Sequence, residues 1–132
     1  MYNALEVIHD KDPKQEIWDD LTGYIDGMEP LGAQVLVGIY KRPERLQSGV
    51  YIPSETMDED NHQGKIGLVL KLGPIAFEED STHRFGTVIP KIGDWVLYRV
   101  PDTFRFVLGK RHCRFVEDVN IRAIIARPDS AI

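Results

Sequence analysis

The sequence predicts a mainly β protein, a compact antiparallel barrel with a short N-terminal helical extension, on three observations. Between Pro30 and Ala126, apolar and polar residues alternate in short runs, which is the period of a half-buried strand. Turn residues (Gly, Pro and Asp) separate these runs. The runs do not alternate with helical patterns, which argues against a doubly wound parallel sheet. The length of 132 residues fits a single domain.

Residues 1–29 are predicted to form an extension that carries an amphipathic helix. Asp12-Pro13 is a typical helix start, because aspartate caps free N–H groups and proline fits the first turn. The apolar residues then recur at helical spacing in one stripe made of Ile17, Trp18, Leu21, Tyr24 and Ile25. Gly23 is expected to weaken the helix and Gly27 to cap its end. The stripe is expected to dock within the assembly, on its own domain or on a neighbouring subunit.

Six strands are predicted in the barrel region, over residues 33–42, 65–74, 94–100, 104–109, 113–118 and 121–126. Period-two alternation assigns their faces. In the first strand, Val35, Val37 and Ile39 share one face. In the second, the residues that share a face are Ile66, Leu68, Leu70 and Leu72. Residues 127–132 are assigned to a C-terminal tail.

Composition and charge exclude several function classes. The formal net charge of −5, without a basic stripe, argues against nucleic-acid binding. No apolar run approaches the roughly 20 residues that a membrane-spanning helix needs. Met1 is followed by neither a basic nor an apolar signal segment. A cytoplasmic protein that binds neither nucleic acid nor membrane is therefore expected.

The residues that usually carry catalysis or bind metals are not grouped. The sequence lacks a Gly-rich phosphate loop and a nucleophile elbow, and its four histidines are scattered. Its single cysteine, Cys113, excludes an intrachain disulfide and a Cys-rich metal site, and is expected to be a buried structural residue. A non-enzymatic protein is predicted, with no catalytic residue, cofactor or metal site.

The segment from Ser48 to Lys65 joins a short apolar stretch to a long polar and acidic one. The apolar part is Gly49, Val50, Tyr51, Ile52 and Pro53. An apolar triplet on a polar tether is suited to docking in a groove of another protein, where each contact is weak and repetition restores affinity. The alternative is that the triplet forms a seventh strand. The residues alone leave both interpretations open.

A second long connection, Ile75–Val88, follows Gly73-Pro74 and is too long for a simple hairpin turn. Connections of this length are often functional. It is acidic, and two phenylalanines and Gly86 are expected to let it fold into a small hairpin of its own. Its candidate site residues are Phe77, Glu78, Glu79 and Asp80.

Several stretches occur in an order that resembles the GroES-like co-chaperonins over roughly Pro30 to Ala126. Ser48–Pro53 is similar to the apolar tripeptide of their mobile loop. Lys91–Val96 resembles their Lys-Val-Gly-Asp-x-Val signature. The other matching stretches are Pro30–Gly32 before the first strand, Gly64–Pro74 after the loop, and Glu117–Ile124 at the closing strand.

The resemblance implies an irregular antiparallel β-barrel assembled into a homo-oligomeric ring, usually heptameric. Such a ring caps a GroEL-like chaperonin ring and assists protein folding, and the chaperonin hydrolyses the ATP. Residues 48–65 would be the mobile-type loop, with Gly49–Pro53 as the partner-binding residues. Residues 75–88 would be the roof-type loop over the ring.

The composition resembles most the GroES-like proteins that bacteriophages encode, which implies a phage capsid protein as the client, in the host cytoplasm. Four features depart from the family: the residues before Pro30, the tail at 127–132, the bulky Tyr51 where an aliphatic residue is commoner, and Ser48-Gly49 in place of the typical Gly pair. They leave a second function open. In it, the chain is a virion decoration or cement protein on the major capsid protein, with the extension as a tether.

Overall fold

The structure, a computed structural model, describes residues 11–41 and 65–130, with the side chain of Ser130 excepted. These residues form one α-helix, α1 (Pro13–Leu21), and six strands: β1 (Gln34–Ile39), β2 (Ile66–Leu72), β3 (Trp95–Tyr98), β4 (Phe104–Leu108), β5 (Arg111–Glu117) and β6 (Ile121–Ile125). Short 3₁₀ helices follow at Ile25–Gly27, Asp118–Asn120 and Pro128–Ser130. The predicted mainly β antiparallel fold with a short N-terminal helix is confirmed.

All six strands belong to one antiparallel sheet of order β4-β5-β1-β2-β3-β6. β1 lies between β5 and β2, and its Gly38 is opposite Cys113 on one side and Leu68 on the other. β4 and β6 are the two edge strands of this sheet. Each strand occurs where the sequence predicts one, with differences of a few residues at the ends.

The sheet buries apolar side chains on both faces, as alternating strands require. One face is covered by α1, and its buried side chains include Leu36, Tyr40, Leu68, Leu70, Trp95 and Cys113. The other face is covered by the connection between β2 and β3. Phe77 of this connection is buried against strand side chains of that face, namely Val35, Val37, Val69, Val96 and Val116. The structure is therefore built in three layers, with the sheet in the middle.

A β-bulge in β2 changes one predicted face. The register of β1 and β2 shifts between Leu36 and Val37, which leaves Leu70 as an extra residue. Ile66, Leu68 and Leu70 face α1 as predicted, but Leu72 packs with the opposite cluster. The expectation that Leu72 shares their face is wrong, because the bulge interrupts the alternation.

The helix begins where the sequence predicts and ends earlier. Asp12 accepts a hydrogen bond from the backbone N–H of Lys14 at 3.1 Å, and Pro13 is the first helical residue. Gly23 then has φ = 88°, a left-handed conformation in which an α-helix cannot continue. Thr22, with ψ = 125°, has already left the helical conformation, so the helix ends at Leu21 and the expectation that Gly27 caps it is wrong.

Candidate functional site

The predicted partner-binding residues, Gly49, Val50, Tyr51, Ile52 and Pro53, lie outside the described residues. The structure does describe the base of their segment, which leaves the sheet after Lys41 and returns at Lys65. Ile39 of β1 is opposite Gly67 of β2 in an antiparallel pair. Residues 42–64 therefore connect two adjacent strands at one end of the sheet.

Buried aromatic packing fixes this base. The rings of Tyr40 and Trp95 meet edge to face, with centroids 5.6 Å apart, and both residues are buried. The backbone N–H of Tyr40 donates to the carbonyl of Ile66 at 2.9 Å, and that of Tyr98 donates to the carbonyl of Lys65 at 2.9 Å. Three strands thus hold the two ends of the connection together.

α1 reaches the same end of the sheet through Arg111. The side chain of Arg111 is 8% exposed, and its guanidinium lies 2.9 Å from Asp20 and 3.6 Å from Glu16, both on α1. The same guanidinium donates to the carbonyl of Ile39 at 3.4 Å. The carboxylates of α1 therefore balance a buried cation beside the last residue of β1.

The structure places the predicted stripe of the extension against its own subunit. Ile17 and Leu21 are fully buried in the core beneath α1, and Trp18 and Ile25 pack at its border. Tyr24 is 53% exposed, but its ring packs against Gly109, so closely that a Cβ added to this glycine would lie 2.9 Å from the ring. The stripe is thus brought together with the sheet of the same chain.

The segment Ile75–Val88 is a compact loop, in place of the expected hairpin, and no strand lies between residues 73 and 94. Its carboxylates bind its own backbone. Asp80 accepts hydrogen bonds from the backbone N–H groups of Thr82 and His83, both at 2.7 Å. These bonds stabilise the charged carboxylate and hold the pKa of Asp80 well below its usual range, and the bond from Thr82 has the largest effect. Glu79 accepts from the N–H of Gly86 at 2.9 Å, whereas Glu78 is exposed.

Phe77 joins this loop to the sheet. It is a non-glycine residue with φ = 63°, and its buried ring meets that of Phe85 edge to face at 5.3 Å. Its backbone N–H donates to the carboxylate of the buried Asp118 at 2.9 Å. Asp118 was predicted only as the end of the fifth strand, because nothing next to it in the sequence indicates that its carboxylate is buried and binds the distant Phe77.

Asp118→Ala is expected to lower the free energy of unfolding by about 2 kcal/mol, because it leaves the buried N–H of Phe77 without its acceptor. Urea unfolding followed by tryptophan fluorescence measures this change as a lower midpoint at constant slope. Asp118→Asn retains an acceptor oxygen and is the matched control, with less than half of the loss. Equal losses in the two variants would contradict the assigned role.

A groove of about 600 Å³ lies between this loop and β6. Its less exposed lining includes Phe77, Phe85 and Ile121, and its exposed lining includes Val88 and Ile124. Three side chains able to carry positive charge also line it, namely His83, Arg84 and Arg122. The groove is therefore lined by apolar and charged side chains together, and the buried carboxylate of Asp118 is one of them.

The described residues contain neither a reactive cysteine nor a metal site. Cys113 is fully buried, and burial raises the pKa of its thiol to about 12, which makes it inert near neutral pH. Residues 11–41 and 65–130 contain no group of side chains arranged to hold a metal ion. In the same ranges, no helix has the length and apolar character needed to cross a membrane. What the site offers is an anchored connection and surfaces for binding.

Comparison with known proteins agrees with this geometry. Residues 27–125 match the family described as the chaperonin 10 kDa subunit, a span that covers well over half of the chain and all six strands. No curated protein matches the sequence significantly. The family's members are non-enzymatic cofactors of chaperonins, which confirms the prediction that the chain is not an enzyme. The chain therefore belongs to the chaperonin 10 kDa subunit family, the GroES-like co-chaperonins.

Proposed function

We propose that the chain is one subunit of a seven-fold ring that caps a GroEL-like chaperonin and docks on it through Gly49–Pro53. Family membership carries this proposal. The anchored base supports it, since β1 and β2 present residues 42–64 as one connection at the end of the sheet. Its docking residues and its ring symmetry follow from the sequence resemblance.

The proposed docking element is suited to a repeated, reversible contact. Val50, Tyr51 and Ile52 supply apolar surface, and Pro53 prevents the stretch from continuing as a paired strand. The chain from Lys41 to Val50 can extend at most about 30 Å, which lets the triplet reach a partner beyond the sheet. Seven weak contacts in one ring would act together through effective concentration.

The ring would act mechanically. A co-chaperonin that binds one chaperonin conformation better than another shifts the population toward that conformation. The free energy for this shift is the difference in docking energy between the two conformations, and no chemistry in the cap is required. The proposed role is therefore to close the folding chamber while the chaperonin hydrolyses ATP.

Replacing Tyr51 and Ile52 together by Asp is expected to abolish nucleotide-dependent binding to a chaperonin ring and the slowing of its ATP turnover. Two charges in the apolar triplet would have to be desolvated on docking. Sedimentation with the chaperonin and a steady-state ATPase assay measure the two effects. The matched control is Ser54→Asp with Thr56→Asp, which adds the same charge to the polar part of the segment and should leave both intact.

Urea unfolding of both double variants is the control for the fold, because a wild-type midpoint means that a loss of binding is not a loss of structure. If the Tyr51/Ile52 variant still capped the chaperonin, the docking assignment would be wrong. If the wild-type chain bound no chaperonin with any nucleotide, the co-chaperonin proposal itself would be wrong.

We further propose that the client is a bacteriophage capsid protein, which rests on the sequence resemblance alone. Co-expression with the major capsid protein of the same genome tests it, and an unchanged soluble yield of that protein would count against it. The alternative, a virion decoration protein, rests on the extension as a tether, on the tail at 127–132 and on the loop at 48–65. Ile17 and Leu21 are occupied in the core of their own subunit, so the structure does not favour that alternative.

A further inference from the structure

The end of β1 is held differently on its two sides. Toward β2, the backbone N–H of Tyr40 donates a hydrogen bond of 2.9 Å. Toward β5, the paired residues end at Gly38 and Cys113. Just beyond that pair, the guanidinium of Arg111 in β5 donates to the carbonyl of Ile39 at 3.4 Å. On this side, a side chain therefore continues the contact between the two strands.

The position of Arg111 depends on α1, because its side chain is 8% exposed and a buried cation needs compensating partners. The carboxylate of Asp20 is 19% exposed and lies 2.9 Å from the guanidinium. That of Glu16 is 53% exposed and lies 3.6 Å from it. Since solvent screens a less exposed pair less, Asp20 is the stronger of the two partners. Asp20 therefore links α1 to Arg111, and Arg111 links α1 to the end of β1.

A close apolar contact also places α1 directly over β1. A Cβ added to Gly38 would lie 2.7 Å from Cγ2 of Ile17, so the helix packs on the bare backbone of the strand. Ile17 is buried in the same core cluster as Tyr40. The helix thus acts on the end of β1 at two points, through Ile17 and through the pair of Asp20 with Arg111.

This end of β1 is the place from which the proposed docking connection, residues 42–64, departs after Lys41. A binding element whose base is ordered before it binds loses less conformational freedom on binding. Order of this kind raises affinity without any new contact with the partner. α1 ends at Leu21, before the match to the family begins at residue 27, so this source of order lies outside the matched region.

We propose that α1 is a positioning element for docking: it holds Arg111 on the carbonyl of Ile39, keeps the end of β1 in its paired position, and so strengthens binding to the chaperonin. The binding part rests on the proposed function, whereas the anchoring of β1 is a property of the free chain. The two parts are linked, because free energy already spent on ordering the end of β1 does not have to come from the docked contacts. Loss of the Asp20 carboxylate should then loosen β1 and weaken docking together.

Asp20→Ala and Asp19→Ala are the matched variants that test the anchoring. The two residues are neighbours on α1, but Asp20 pairs with the buried Arg111 and Asp19 with the exposed Lys11. Hydrogen exchange of the free chain should be about tenfold faster at the amide of Tyr40 in Asp20→Ala, measured relative to an amide at the other end of β1. Asp19→Ala should exchange like the wild type. Equal exchange in the two variants would overturn the proposal.

Sedimentation with the chaperonin measures docking, with the affinity expressed per folded molecule from the urea unfolding curve of each variant. Asp20→Ala is expected to bind about fivefold or more weakly, and Asp19→Ala like the wild type. A purely structural role of the pair would lower the urea midpoint and leave the affinity of the folded chain unchanged. Faster exchange at Tyr40 with unchanged affinity would therefore overturn the proposed effect on docking.

Two further results are distinguishable from these. If Asp20→Ala did not fold, Asp20→Asn beside Asp19→Asn would decide the question, since asparagine keeps the shape of the side chain and removes the charge. If the wild-type chain bound no chaperonin, the proposed function would fail together with the binding part of this inference. The exchange rate at Tyr40 would still decide whether α1 anchors the end of β1.

Discussion

Leu21→Ala is expected to lower the free energy of unfolding by about 3 kcal/mol, which lies within the range for a leucine truncated in a closed core. The side chain has no exposed surface and lies with Ile17 against the buried residues beneath α1. Its removal leaves a cavity that a short helix held by Gly38 and Arg111 can fill only in part.

Chemical unfolding of Leu21→Ala beside Leu31→Ala measures this effect. Leu31 is 77% exposed, so the same chemical change at that position should alter stability by less than about 0.5 kcal/mol. A loss below 1 kcal/mol in Leu21→Ala would mean that α1 does not pack on its own sheet in solution. The comparison therefore separates a buried leucine from an exposed one of the same size.

Gly73→Ala is expected to destabilise the fold by about 3 kcal/mol, because overpacking against backbone leaves no side chain to move aside. An added Cβ would press on the carbonyl oxygen of Gly32 and lie 2.8 Å from that of Gln34. The N–H of Gly73 donates to the same Gln34 carbonyl at 2.7 Å, so relief by a backbone shift would break this bond.

Thermal unfolding of Gly73→Ala beside Gly27→Ala checks the steric origin. A Cβ at Gly27 would meet no atom within 4 Å, and its φ is not in the left-handed region. We expect Gly27→Ala to be neutral or slightly stabilising, because alanine reduces the freedom of the unfolded chain. Similar melting temperatures for Gly73→Ala and the wild type would refute the close approach at that turn.

The strands were predicted well because the alternation of residues within each strand indicates which side chains point to which face of the sheet. In β1, Val35 and Val37 alternate with Leu36, and the structure divides them between the two clusters in that order. This information is local, since successive residues of a strand point to opposite sides. The start of α1 was equally readable from Asp12-Pro13.

The wrong predictions concern local structure that depends on contacts with residues distant in the sequence. The bulge at Leu70 depends on how β2 pairs with β1, and no residue pattern within β2 announces it. The loop after Gly73 folds around Asp118, which is far away in sequence. The early end of α1 had a local signal in Gly23, but its left-handed conformation was underestimated.

The candidate site was predictable only in part. The family was readable from ordered motifs, and the match over residues 27–125 confirms it. The docking residues Gly49–Pro53 stay a prediction. The packing of Tyr40 on Trp95, which fixes the base of their segment, was not foreseen, because aromatic pairs between strands depend on a register that the sequence does not state.

α1 packs on Gly38 of β1. The region that matches the family and the region that folds as one unit therefore do not begin at the same residue. The matched region begins at residue 27, after the helix. Ile17 and Leu21 are nearly or fully buried, and burying two such side chains contributes about 3–6 kcal/mol. That is comparable to the total stability of a small domain. In this chain α1 therefore belongs to the folded unit, although it precedes the region that matches the family.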